Sequence, residues 1–230
     1  MAAWALVGPG LSTLSAHPPP TPTQTVYKEA VAGRVGRISV GSNGVAGYAV
    51  LKATQAQAWL SLTDDQLSDD VSGLTEISLE GHWSHPKTLY QRVDLPWPVE
   101  DRHWVLKLTN NVALAKSNGV WERVWVLDND RLPEAKPKTD AVAFDASTAM
   151  AVNKGSWTLI PLENGETFGV YQVWADLGGN IPAEAAEAYT RSTLLGFVRG
   201  VEAHVADILP KYGAGCTEQP GGDGLPIPCF

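Results

Sequence analysis

Cysteine, positive charge and uninterrupted apolar sequence are all scarce in this chain. Lysine and arginine number 17 against 25 aspartates and glutamates, a net charge of −8, and the basic residues form no cluster. A surface that tracks phosphates needs clustered Lys and Arg, so nucleic acid is excluded as a partner. Bulk attraction to an anionic membrane is disfavoured for the same reason. The apolar run at the N-terminus is broken by Pro9 and is too short for a transmembrane helix. The chain carries no G-x-S-x-G, no H-E-x-x-H and no P-loop. The glycines at 178–179 lack the wider pattern of a phosphate cradle. His82 and His85 have no cysteine or carboxylate at suitable local spacing, so they read as surface histidines and no metal is expected. No cofactor is implied either.

What the chain has is apolar material and tryptophan. Hydrophobic residues make up 44% of 230, enough for one domain with a substantial core. Nine tryptophans imply either a very aromatic core or a cavity lined with rings. Residues 1–16, MAAWALVGPGLSTLSA, resemble the later part of a secretory signal peptide with an edge at Ala16, though without a basic start. Residues 17–25, HPPPTPTQT, read as a proline-rich linker. The two cysteines, Cys216 and Cys229, bracket a Gly/Pro-rich tail at 213–230, and a disulfide there would order it. Leader and cysteines together favour export to a periplasmic or extracellular space. A disordered leader and free thiols in a cytoplasmic protein are the alternative.

The body, residues 26–212, is dominated by strand signals. The segments 45–53, 75–81, 87–95, 103–111, 120–128, 155–162 and 167–176 all read as strands. Trp104, Leu106 and Leu108 alternate against His103, Val105 and Lys107, the pattern of a half-buried strand. Asn-Gly within ENGE, 163–166, predicts a hairpin. Residues 54–65 predict a short helix capped by Thr54, and the acidic stretch DDQLSDD, 64–70, a solvated face. Residues 183–209 predict the long helix of the chain. Leu194, Val198, Val201, Val205 and Ile208 form its apolar stripe, Pro182 lies in its first turn, and Pro210 is its stop. An antiparallel sheet with one long helix predicts an α+β fold in which the sheet curls around the helix. One helix cannot fill a wide curved sheet, so a cavity is expected between them.

Four segments carry a family resemblance. They are TLYQRVDLP (88–96), LPWPVEDRHWVLKL (95–108), GSWTLIPLENGETFGVYQVWAD (155–176) and DLGGNIP (176–182). In this order they resemble START (steroidogenic acute regulatory protein-related lipid transfer) domains across roughly residues 45–210. The last resembles the family's turn into its closing helix, with Leu177 where proline is common. Residues 26–44 and the two-cysteine tail fall outside the resemblance. A ring found in some phosphatidylcholine-binding members is replaced by Leu95. The resemblance implies a helix-grip fold with an internal tunnel. It implies binding, and with it transfer, of one lipid or other hydrophobic small molecule, gated by the C-terminal helix and involving transient membrane contact. The same superfamily contains polyketide cyclases and aromatases. An enzyme of that kind is the alternative, with His103, Tyr90, Tyr171 and Asp94 as acid/base candidates and none singled out by context.

Arg102 begins an inward-alternating strand. A buried arginine needs a partner, so it either meets a ligand's polar head or pairs with Asp94, Asp101 or Asp176. Trp121 and Trp125 share a strand face with Arg123 between them, and they line a cavity or pack in the core. Trp104, Tyr171, Leu194, Val198 and Val201 complete the predicted ligand-binding set. Gly196 and Gly200 are expected to let the long helix move, as a soft lid, or approach the sheet closely. Pro96 and Pro98 rigidify the connection before Arg102, and Trp97 is expected to plug a sheet edge.

Overall fold

The structure is a computed structural model and describes residues 19–41, 44–65, 73–179, 181, 183–212 and 219–227, with the backbone alone for 183–193 and 209. The signal-like leader at 1–16, most of the acidic stretch, Pro182 and both cysteines lie outside the described residues.

Nine strands form one sheet. They are β1 (Gly36–Val40), β2 (Gly44–Leu51), β3 (Leu74–Ser78), β4 (Lys87–Val93), β5 (Arg102–Asn110), β6 (Trp121–Leu127), β7 (Thr148–Ala149), β8 (Val152–Pro161) and β9 (Thr167–Asp176). The order is β1-β2-β9-β8-β6-β5-β4-β3, and all of these neighbours are antiparallel. The two-residue β7 adds to β5 in parallel. The helices are α1 (Gln24–Val31), α2 (Gln55–Thr63), α3 (Val112–Asn118), α4 (Leu132–Ala135), α5 (Ala141–Asp145) and α6 (Ala183–Tyr212). The result is the helix-grip arrangement expected from the sequence.

Local chemistry sets the element ends. Thr54 caps α2 within a capping box: Gln57 N donates to Thr54 Oγ1 at 3.3 Å and Thr54 N to Gln57 Oε1 at 2.9 Å. The ENGE loop joins β8 to β9. Gly165 takes a φ of 82°, and Leu162 N donates to Glu166 O at 2.8 Å. The linker ends earlier than expected, because Thr23 caps α1 by accepting from Val26 N. The long helix runs two residues past Pro210, to Tyr212.

The sheet is covered on both faces. On the inner face, α2 and α6 pack over Leu51, Trp104, Leu106, Trp157 and Tyr171 in the main core. On the outer face, α1 and α3 bury Ala46, Tyr48, Ile160, Phe168 and Val170 against Val26, Ala30 and Leu114. A separate outer cluster joins Tyr90 and Val105 to Ala135, Leu132 and Phe144 from the α4–α5 region. The expectation of a half-buried β5 therefore needs correction: its residues 102–106 are all buried. Cover on both faces buries the outward-pointing residues, His103 and Val105, along with the inward-pointing ones.

Candidate functional site

A cavity of about 700 Å³ lies between the inner face of the sheet and α6. Antiparallel register places its wall residues in rows across the strands. One row is Gly47, Tyr171, Trp157 and Arg123, from β2, β9, β8 and β6. The next is Val45, Val173, Gly155, Trp125, Leu108 and Lys87. A third crosses β3, β4 and β5 as Glu76, Gln91 and Trp104.

Two glycines let this wall close. A methyl group on Gly155 would sit 2.4 Å from the Trp125 ring and 2.1 Å from Gln172 O. The missing side chain is what lets Trp125 lie flat on β8, where its Nε1 donates to Asn153 Oδ1 at 3.0 Å. Gly47 admits Leu194, whose Cδ1 is 2.8 Å from where a Cβ would be, so α6 seats on β2 there. Tyr171 then stacks on Trp125 at 5.4 Å and on Phe197 of α6 at 5.6 Å, and tilts against Trp157 at 5.0 Å. These offset rings form one aromatic wall.

One end of the cavity carries charge. Asp64, Asp65 and His82 converge there from the end of α2 and the β3–β4 connection. Their spacing would suit a cation. Two ammonium groups already occupy it: Lys211 Nζ lies 2.6 Å from Asp64 Oδ2, and Lys87 Nζ bonds Asp65 Oδ2 and His82 O. Tyr212 donates to Asp64 Oδ2 at 2.6 Å, which ties the last turn of α6 to α2. Burial first, and then the Asp64 carboxylate, push the Tyr212 phenol up. Ser61 donates to Val201 O at 2.9 Å and joins the same two helices. Along the third row, Trp104 Nε1 donates to Gln91 Oε1 at 2.8 Å, and Gln91 Nε2 bonds Glu76.

Arg102 does not line this cavity. It is 4% exposed, and its fork is taken up by backbone carbonyls. Nε donates to Leu177 O at 2.6 Å, Nη2 to Gly178 O at 3.1 Å and Nη1 to Glu100 O at 2.6 Å. Nη1 also reaches Asp101 O at 3.3 Å, so of the three expected aspartates Arg102 meets only Asp101, and there the backbone carbonyl and not the carboxylate. It clamps the β4–β5 connection to the turn that leads into α6. The carboxylates it was expected to meet serve Arg92 instead, which pairs with Asp94 and Asp101, each at 3.1 Å. Asp101 also accepts from Leu95 N at 2.9 Å. Trp97 plugs nothing and is 92% exposed.

The structure brings Trp104, Trp125, Tyr171, Leu194 and Val201 together on the cavity wall. Trp121 and Val198 are buried in the core off that wall. Trp121 meets Trp59 edge-on at 5.5 Å and packs on Gly221 and Gly222 of the C-terminal segment. That segment is fastened by Trp59 Nε1 donating to Pro220 O at 3.1 Å, so part of the tail is packed structure. Arg123, Glu76, Gln91, Lys87 and His204 also line the cavity, and sequence reasoning missed them as site residues. The signal for Arg123 was its position between Trp121 and Trp125. Gly200 lines the cavity, with nothing within 4 Å of the place a Cβ would take, and Gly196 is open to solvent.

The acid/base candidates divide by face. His103 and Tyr90 lie in the outer layer, ring to ring with Phe144 and each other, and off the cavity wall. Burial pushes the His103 imidazole down and the Tyr90 phenol up. Asp94 is taken by Arg92. Tyr171 alone of the four reaches the cavity.

No family model matches the chain. An uncharacterized protein of Pseudomonas aeruginosa is 26% identical over 148 residues, 61% of this chain and 67% of that protein. Among solved structures, a STAR-related lipid transfer protein from Xanthomonas axonopodis superposes with a TM-score of 0.57 at 23% identity, covering 75% of this chain and 92% of its own. Human StAR-related lipid transfer protein 5 superposes with a TM-score of 0.53 at 13% identity, over 79% and 90%. This chain therefore has the helix-grip fold of the StAR-related lipid transfer structures.

Proposed function

We propose that this protein binds one hydrophobic small molecule, a lipid or a compound of similar character, between its sheet and α6. The observation that carries the proposal is the 700 Å³ cavity walled by Trp104, Trp125, Trp157, Tyr171, Leu194 and Val201. That volume falls within the range of roughly 300–1,000 Å³ typical of small-molecule sites. Apolar burial supplies the affinity, and the cavity's polar end orients the ligand. Release requires α6 to part from the sheet, and a carrier working this way loads at a membrane surface. The exposed Trp97 is a ring of the kind that rests at headgroup level.

The cyclase-like alternative draws less support. It needs an acid or base beside the substrate; His103, Tyr90 and Asp94 are engaged elsewhere in the fold, and Tyr171, the candidate that reaches the cavity, is stacked between Trp125 and Phe197 as part of its aromatic wall. Native mass spectrometry of the protein purified from its own host tests the proposal. A stoichiometric adduct that leaves on denaturation and proves to be a hydrophobic molecule is the expected result. A uniformly bare mass, with no uptake from an added host lipid extract, contradicts it.

A further inference from the structure

The cavity holds a buried charge that the described residues leave unanswered. Arg123 stands on the inner face of β6 and is 8% exposed. Among the described residues, no carboxylate forms an ion pair with it, and its Nε is buried with no hydrogen-bond acceptor. The charges at the cavity's polar end are matched or hydrogen-bonded: Asp64 has Lys211, Asp65 has Lys87, and Glu76 accepts from Gln91.

A guanidinium is a fork of donors suited to an oxyanion, and burying it unpaired is costly. Burial pushes Arg123 down to about 10, with Glu76 and Asp65 acting against that at longer range. It therefore remains a cation at neutral pH. Its field reaches outward too, adding to the burial that holds His85 below the usual imidazole value. Trp157 is its partner across the β6–β8 ladder, and Tyr171 follows on β9. A cation thus sits beside the start of an aromatic and aliphatic wall, the polarity an amphiphile presents in reverse.

We infer that Arg123 is the anchor for an anionic head group, so that the cavity's occupant is an amphiphile bearing a carboxylate or phosphate oxyanion beside its apolar body. This rests on the ligand-binding reading above and names the class of ligand. The competing fate of the guanidinium is Asn110 Oδ1 on the neighbouring strand, which is also buried without a partner among the described residues. Joined to it, Arg123 would be purely structural.

The test compares oleate, oleyl phosphate and oleyl alcohol as competitors of Nile red bound to the full chain, in wild type, Arg123→Met and Arg123→Lys. The wild type is expected to bind one of the two anions about ten-fold or more tighter than the alcohol, the gain of a charge-assisted hydrogen bond out of water. The preferred anion identifies the head. Arg123→Met should lose the preference for the anion over the alcohol. Arg123→Lys should keep part of it. The wild-type comparison decides the matter even where the methionine variant fails to fold. Equal wild-type affinity for all three, or a preference that survives in Arg123→Met, overturns the inference and leaves the ligand-binding reading standing. Failure of Nile red and all three competitors to bind the folded protein overturns both.

Discussion

Two arginines on adjacent strands, β5 and β6, show how one residue type serves opposite ends. Arg102 is buried and bonded to four backbone carbonyls, while Arg123 is buried and unanswered among the described residues. Their removal should shift stability in opposite senses. Arg102→Ala leaves Leu177 O and Gly178 O without donors and frees the turn into α6. The expected loss is about 2–4 kcal/mol, from hydrogen bonds made by a charged donor and the carbonyls left buried. Arg123→Met removes an uncompensated charge and keeps most of the volume, so stability should hold or rise. Urea denaturation of both variants checks the pair. A larger loss for Arg123→Met than for Arg102→Ala would contradict the assignment. The sequence marked Arg102 as inward-facing and set Arg123 between two tryptophans on one strand face. It could not show that the carbonyls of a turn 75 residues away would reach Arg102 first.

At the scale of the element, most strands were legible and the short helices were not. Strand alternation and the Asn-Gly hairpin mark β2, β4, β5, β6, β8 and β9. The helices α1, α3, α4 and α5 run four to eight residues. None is long enough to establish a helical period. Each is held by a few apolar contacts to the outer face, such as Val26 and Ala30 of α1 on Tyr48 and Phe168. The sequence also misjudged where the close approach lies. Gly196 and Gly200 were read as points where α6 softens or nears the sheet, whereas the close glycine is Gly47, beneath Leu194. Each fully buried residue of the α6 stripe, Leu194, Val198, Val201 and Ile208, contributes about 1.5–3 kcal/mol to holding the helix down. Gly196 is exposed, with free space at its Cβ position. Gly196→Ala should therefore stabilise the protein by about 0.5–1 kcal/mol through helix propensity, with Nile red affinity unchanged. A destabilised variant in thermal melts would contradict an open, helical site at that position.

The whole molecule is a sheet covered on its outer face by short helices and on its inner face by α2 and α6, with space left between. Among the described residues, no helix is long and apolar enough to cross a membrane. The ends of α6 are tied down differently. Arg102 holds the turn before it, and Lys211 and Tyr212 hold its last turn to Asp64. Opening therefore means breaking polar contacts at the ends as well as apolar contacts along the stripe. The cavity itself was foreseeable, because one long helix cannot fill a wide curved sheet. Its polar end was not, since Asp64, the stretch from His82 to Lys87, and Lys211 come from separate parts of the sequence and meet only in the fold.

The central claim is that one hydrophobic ligand occupies the space beneath α6. The most direct measurement is a Nile red titration of wild type and Gly200→Trp, with circular dichroism to establish that both are folded. Gly200 lines the cavity and has nothing within 4 Å of its Cβ position, so a side chain can leave the helix there without a clash at Cβ and an indole takes up ligand space. The account predicts saturation at one probe per wild-type chain and a loss of affinity of about ten-fold or more in the folded variant. Unchanged binding by folded Gly200→Trp, or saturation at several probes per chain, would contradict it.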